Sequence, residues 1–297
     1  MQIESRSPSA FNANLLNVAI VTLVFILYAP LIIHWCDGWL NKNIGIEHEY
    51  FSHGLIGLPY AAYVTWTQRQ QWQRLPDKAH PAGLFLLGLG AVFFLSGVTE
   101  SVNLSFPIVL AGICLSWKGM AGGKLQGLPL LLVFLATPNS IPYLITPYTL
   151  PLQQFIASCA GLILIQFGLD VRVEQIYLFV GERITEVAPY CAGLKMLFTT
   201  FYVALMLLHW TGNLQSRRKT IALFAAAASI SVFGNIIRNT VLTFFHGTGR
   251  EQMFVWLHDG WGGDIYSAAT LICLIPVLSV IEKFYSELDN PVPGTIE

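Results

Sequence analysis

Charge is what this chain has least of: 11% of its 297 residues are Asp, Glu, Lys or Arg, and the formal net charge is -1. So few ionic groups, with no basic excess, exclude the solvated surface of a water-soluble domain and the cationic face that a nucleic-acid partner requires. Signatures of metal and hydrolase chemistry are missing too. There is no Cys-x-x-Cys, no Cys/His cluster with zinc spacing, no His-Glu-x-x-His helix and no Gly-x-Ser-x-Gly elbow, so neither a metal nor another cofactor is expected. Internal repeats, low-complexity tracts and linkers are also lacking. One domain over 1–297, with a core at about 14–285, is the economical reading, and the paired broken helices of an inverted-repeat transporter have no counterpart.

Apolar sequence is abundant instead, with 54% hydrophobic residues and a mean hydropathy of +0.58. A membrane-crossing helix needs roughly 20 mostly apolar residues. Candidate segments fall at about 14–35, 54–66, 82–98, 103–117, 127–147, 152–168, 192–210, 220–245 and 265–282. The first is too long and too poor in small residues at its end for a cleaved signal peptide, and reads as a retained anchor.

Arg69, Arg74, Lys78, Lys118, Lys124, Arg217, Arg218, Lys219 and Lys283 fall in one set of short loops and the tail, whereas the opposite loops hold Lys42, Arg172, Arg183 and Arg250. The excess marks the first set as cytoplasmic and puts residues 191 and 258 outside. Between Lys124 and residue 191 the chain must then cross an odd number of times, yet it offers two apolar segments. Pro138, Pro142, Pro147 and Pro151 point to the non-crossing stretch, expected to be re-entrant or surface-lying. The expected fold is an all-α polytopic transmembrane helix bundle of about eight spans with both termini cytoplasmic. Polar and apolar residues alternate over 170–174, an apolar run follows at 176–180, and Gly181 punctuates, so a small extracytoplasmic β-hairpin-like segment should precede the cysteine at 191.

Of the five cysteines, Cys114, Cys159 and Cys273 lie in apolar runs and read as small core residues. Cys36 and Cys191 both lie near the outer face, where a disulfide between them is one possibility in an oxidising compartment. The other is a nucleophile: a free thiol with pKa near ~8.5 is only a few per cent ionised at neutral pH, so Cys191 would need a cation or base beside it.

Both occur downstream. Arg238 sits inside an apolar span, where a guanidinium costs roughly 2.5–3.5 kcal/mol on insertion scales, so it marks function or a buried ion pair. Asn235, Arg238 and Asn239 recur at i, i+3 and i+4 and form one polar face directed into the bundle. His258, in Trp256-Leu257-His258-Asp259-Gly260-Trp261, lies on the side assigned to Cys191 and can carry a proton near neutral pH; His246, at the outer end of the arginine helix, is the second choice. Glu47-His48-Glu49-Tyr50-Phe51-Ser52-His53-Gly54 is a further polar cluster without metal-site spacing, in which Tyr50 and His53 either pack at a helix start or contact substrate.

These motifs together resemble the exosortase/archaeosortase family of membrane transpeptidases. Tyr50-Phe51-Ser52-His53-Gly54 is similar to its Y-S-H-G motif with one inserted residue, and Val187-Ala188-Pro189-Tyr190-Cys191-Ala192-Gly193-Leu194 resembles V-A-x-x-C-S-G-L, with Ala192 where the family has serine. Asn235-Ile236-Ile237-Arg238 matches N-x-x-R, and His258 with Trp261 resembles the terminal histidine segment at compressed spacing. The resemblance implies Cys191 as nucleophile with Arg238 and His258 completing a triad, in a bacterial plasma-membrane enzyme whose active site faces the extracytoplasmic side. It implies substrates that are secreted proteins with a C-terminal sorting signal of the PEP-CTERM kind: a short motif, a transmembrane helix and a basic tail. Water, an amine or a surface polymer would accept the acyl group, with membrane lipid as the surroundings. Asn235, His246, His53 and Tyr50 are the further candidates for substrate contact. A transporter using the buried arginine as its substrate site is the rival from another class.

Overall fold

The computed structural model describes residues 8–40, 50–188 and 193–289. Cys191, and the Glu47-His48-Glu49 part of the early polar cluster, lie outside the described residues.

Helices dominate, in the order α1 (Pro8–Leu40), α2 (Gly54–Thr67), α3 (Arg69–Arg74), α4 (Pro81–Leu95), α5 (Thr99–Leu125), α6 (Gly127–Ala136), α7 (Ile141–Ile145), a 3-10 turn (Thr146–Thr149) and α8 (Leu150–Gln166). Strands β1 (Val171–Glu174), β2 (Tyr177–Val180) and β3 (Arg183–Glu186) follow, then α9 (Leu194–Trp210), α10 (Arg217–Gly247), α11 (Glu251–His258), α12 (Trp261–Ile272) and α13 (Leu274–Asp289). Among the described residues, five stretches are long and apolar enough to cross a bilayer: Asn17–Leu40, Thr99–Leu125, Ile141–Gln166, Arg217–Gly247 and Trp261–Leu288. Three shorter apolar helices, Pro81–Leu95, Gly127–Ala136 and Leu194–Trp210, accompany them, so the structure supports five crossings by length where about eight are expected from hydropathy.

The prolines interrupt the helix as expected, and Pro138 lies in the break between α6 and α7. Pro142, Pro147 and Pro151 each occupy the first turn of a separate helical element, where the missing N–H has no intrahelical partner to lose. They segment Ile141–Gln166 without preventing it from being long enough to cross. The apolar segment expected over 127–147 instead ends at Ala136, and α6 rises only about 15 Å, half a bilayer core.

Close approach of backbones sets the pairing of α4 with α5. A Cβ on Gly83 would lie 2.5 Å from Ser116 N, one on Gly90 2.5 Å from a Val109 methyl, and one on Gly112 2.9 Å from Leu87 Cγ. Small residues at such a seam supply the dispersion contacts that lipid cannot outcompete. Trp35 on α1 donates to Asn103 Oδ1 at 2.9 Å, and Asn103 Nδ2 donates to Pro138 O at 3.1 Å. With Asn103 buried, Asn103→Leu is expected to strand both partners and cost about 1–3 kcal/mol each, seen as a lower melting temperature in detergent.

The bundle has two chemically distinct ends. Lys118 pairs with Asp77 at 2.6 Å and donates to Leu75 O, Gln126 reaches Gln68, and Lys219 reaches Asn213, which contacts Glu282. Stacking of Tyr63 on Trp210 brings the ends of α2 and α9 to the same side. The basic loops therefore gather at one end, and the sheet, the start of α9 and the end of α10 at the other.

At that other end the expected hairpin is a three-stranded antiparallel sheet in the order β1-β2-β3. Val171 pairs with Val180 and Leu178 with Thr185, and two-residue turns begin at Gln175 (φ 54) and Gly181 (φ 59). Alternation sorts the side chains: Val171, Val173, Leu178, Val180 and Val187 face α8 and α10, packing with Ile156, Ala160, Leu164 and Ile236. Arg172, Glu174, Tyr177, Ile184 and Glu186 take the other face. The third strand escapes notice in sequence because its residues, Arg183-Ile184-Thr185-Glu186, are polar on the side that β2 leaves apolar.

Candidate active site

Chain geometry leads from the sheet to the cysteine segment. Beyond β3, Val187 is fully buried and donates to Ile176 O at 2.9 Å, Ala188 is buried, and Gly193 caps the start of α9. Gly193 has φ +90, a left-handed conformation that L side chains rarely adopt. A Cβ there would lie 1.4 Å from Asn235 Nδ2, so the residue two places after Cys191 rests directly on the polar face of α10. Gly193→Ala combines that clash with roughly 1–3 kcal/mol of backbone strain. It is expected to lower turnover about tenfold or more at unchanged protein abundance, measured on the reporter described below.

The face itself is as the sequence predicts. Asn235 and Asn239 are buried, Arg238 is half-buried, and Phe233 and Ile237 on the opposite side are exposed where lipid would lie. Asn239 Nδ2 donates to Asn235 O at 2.9 Å, while Asn235 Nδ2 is buried without a hydrogen bond among the described residues. Arg238 reaches toward the turn between α11 and α12, where its Nη2 lies 3.5 Å from His258 O, and its Nε is buried without a partner among the described residues. Tyr266 on α12 donates to Gly234 O and fixes that helix against α10. Gly263 is needed beside the arginine: a Cβ there would sit 2.8 Å from Leu257 O and 3.8 Å from Arg238 Nη2.

His258 closes α11. Its Nδ1 hydrogen-bonds Asp259 Oδ1 at 2.7 Å, and its ring stacks on Phe254 at 5.2 Å and 11°. A carboxylate only accepts, so Nδ1 carries the proton in that bond and Nε2 is the basic nitrogen. His246, in the last turn of α10, also has its ring centroid 5.2 Å from that of Phe254. Its Nδ1 is 3.2 Å from Glu251 Oε1 but off the alignment of a hydrogen bond, and Glu251 is already engaged by Arg183. Arg183 also donates to His246 O at 3.0 Å, where a cation favours the exposed carbonyls of a helix C-terminus. One arginine thus ties β3 to both α10 and α11.

A cavity of about 210 Å³ opens between these elements, lined by Ile184, Thr185, Glu186, Asn239, Leu242, His246, Phe254 and His258. Both histidine candidates face the same space. Tyr50 and His53 do not: they are buried at 3% and 4% exposure, with His53 Nε2 3.0 Å from Leu135 O and its ring 4.4 Å from that of Tyr202. Their described contacts lock α2 against α6 and α9. Cys36 carries a free thiol. The contributions of Asp259, Phe254, Tyr266 and Arg183 go beyond the sequence reading. Only Asp259, adjacent to His258, and Phe254, one helical turn before it, left a signal in the order of residues.

The family model for transmembrane exosortase (Exosortase_EpsH) matches residues 39–275. No curated protein and no solved structure matches.

Proposed function

The chain belongs to the transmembrane exosortase family, and from that premise we propose that it is a multi-pass cysteine transpeptidase that removes C-terminal sorting signals from secreted proteins at the extracytoplasmic face. The observation that carries this reading is the seating of Gly193 on Asn235, with Arg238 one turn further along α10 and extended to the carbonyl of His258. Gly193, Asn235 with Arg238, and His258, up to 65 positions apart in sequence, are neighbours at the end of the bundle away from the basic loops, which supports this reading. The positive-inside rule makes that end extracytoplasmic, and a scissile bond just outside a substrate helix would lie at the same height.

In the proposed chemistry, His258 Nε2 takes the proton of Cys191, and the thiolate adds to the carbonyl carbon of the scissile peptide bond. Arg238 stabilises the resulting oxyanion or orients the peptide. Collapse of the adduct breaks the C–N bond, the imidazolium returns the proton to the departing amine, and a thioester remains on Cys191. Water or an acceptor amine, including one on a surface polymer, then releases the product. Asp259 holds the His258 ring and stabilises its charged form, a positioning task.

The test is a tagged secreted reporter ending in a short motif, a transmembrane helix and a basic tail from a PEP-CTERM-type protein of the same genome. Co-expression with the wild-type chain should release the tag-bearing portion from its helix. His258→Ala should lower that release by about 10²–10⁴-fold, the usual range for a general acid–base, whereas His246→Ala should retain most of it. Full release by His258→Ala together with inactivity of His246→Ala would move the proton-transfer role to His246.

A further inference from the structure

β3 is an edge strand. Val187 donates to Ile176 across the β2–β3 pair, so by antiparallel alternation the backbone groups of Thr185 and Arg183 also point to β2, whereas the N–H and C=O of Ile184 and Glu186 point away from the sheet. Those two residues, spaced by two, border the cavity that His246 and His258 line. The edge is therefore a row of main-chain donors and acceptors beside the candidate catalytic groups. Nothing in the described chain pairs with it as a strand, neither outward position is a proline, and Glu186 is the charged one of the two.

We propose that the substrate docks by strand addition: the extended segment on the N-terminal side of the scissile bond pairs with the edge of β3 as a fourth strand. This rests on the sorting-signal reading above and specifies how that substrate is held. Three observations select this occupant. The first is position. On the sorting-signal reading the substrate helix lies in the bilayer, which places the stretch preceding it at the sheet's end of the bundle. The second is continuity, because the chain leaves β3 through buried Val187 and Ala188, three residues before Cys191 in sequence, so a strand laid along β3 ends beside the chain that leads to the cysteine. The third is shape. On an added strand, alternate side chains point to the inner face of the sheet, and there the cavity of about 210 Å³, walled by Leu242, Phe254 and Asn239, is open to receive one of them. Affinity then comes from main-chain hydrogen bonds common to all sequences, and selectivity from a single side-chain pocket. Arg183 keeps the groove preformed by clamping β3 to the end of α10 and the start of α11.

The experiment uses purified full-length protein in detergent and a synthetic peptide copying the motif and transmembrane helix of the reporter, with single N-methyl groups placed at successive backbone nitrogens ahead of the scissile bond. Strand addition predicts that kcat/KM falls about five- to tenfold or more at every second position and little between them, because only alternate N–H groups face β3. Ile184→Pro and Glu186→Pro delete outward N–H groups that make no bond to β2, a substitution edge strands tolerate, and each should lower kcat/KM by a similar factor. If either variant fails to fold, the peptide scan alone decides. Uniform or absent N-methyl effects overturn the strand addition while Cys191-dependent cleavage stands. Failure of the wild-type protein to cleave the unmodified peptide in a Cys191-dependent way overturns both the docking mode and the function it rests on.

Discussion

Cys191→Ala is expected to leave the reporter uncleaved, its helix attached and its mass unchanged, at membrane levels equal to the wild-type chain. None of the four described cysteines lies on the polar face of α10. Cys114 and Cys159 are partly buried within α5 and α8, and Cys273 lies on an exposed flank between α12 and α13; Cys36 belongs to α1, packed near Trp35 and Trp39. Loss of the nucleophile in a unit of interdependent groups typically removes almost all of the catalysed rate, on the order of 10⁶-fold where it has been dissected, because base and oxyanion donor have nothing to act upon. Cleavage at the ordinary rate by this variant would make the assignment wrong, whatever the family relationship.

Arg238→Lys should be nearly as damaging. A lysine keeps the positive charge in α10 but replaces a planar fork with a point charge on a shorter reach, and cannot present two parallel N–H donors. The arginine spans from α10 to the α11–α12 turn, where Nη2 approaches His258 O and Gly263 leaves room beside it. If it stabilises developing negative charge, the loss should be about 10²–10³ in kcat, the cost of removing one oxyanion donor, with KM little changed. If the guanidinium is there only to balance charge in the bundle, lysine would support near-normal turnover. The assay is the same reporter, read as rate at saturating substrate, with Arg238→Gln as the charge-deleting comparison. Transport through a buried arginine site predicts instead that Arg238 variants change solute flux and leave the reporter indifferent to Cys191.

The elements carried by long-period signals were legible in the sequence. The 3.6-residue recurrence of Asn235, Arg238 and Asn239 correctly turned that face into the bundle, because burying polar groups away from lipid leaves a helix one orientation. The segregation of basic loops also corresponds to one end of the fold. Harder to read were features decided by partners distant in sequence. Gln175 takes a positive φ without being glycine, and polar β3 becomes a strand only because β2 offers it a ladder, so the sheet looked like a hairpin. Pro142, Pro147 and Pro151 mark the segmentation of Ile141–Gln166, but their seats in first turns, where proline is tolerated, leave the stretch long enough to cross. Tyr50 and His53 illustrate the opposite ambiguity: a motif of polar rings at a helix start is compatible with contact to substrate or with packing. Tertiary contacts with Tyr143, Tyr202 and Leu135 supply the packing.

A thioester on Cys191 is the centre of the account, and hydroxylamine tests it most directly. Thioesters are intercepted by this small nucleophile, whereas a hydrolysis that proceeds without an acyl-enzyme is not. Mass spectrometry of the released reporter from wild-type membranes treated with hydroxylamine should show a C-terminal hydroxamate at the residue that otherwise ends the processed product, and none from Cys191→Ala membranes. A free carboxylate as the sole product at every hydroxylamine concentration, formed equally by wild type and Cys191→Ala, would contradict the mechanism.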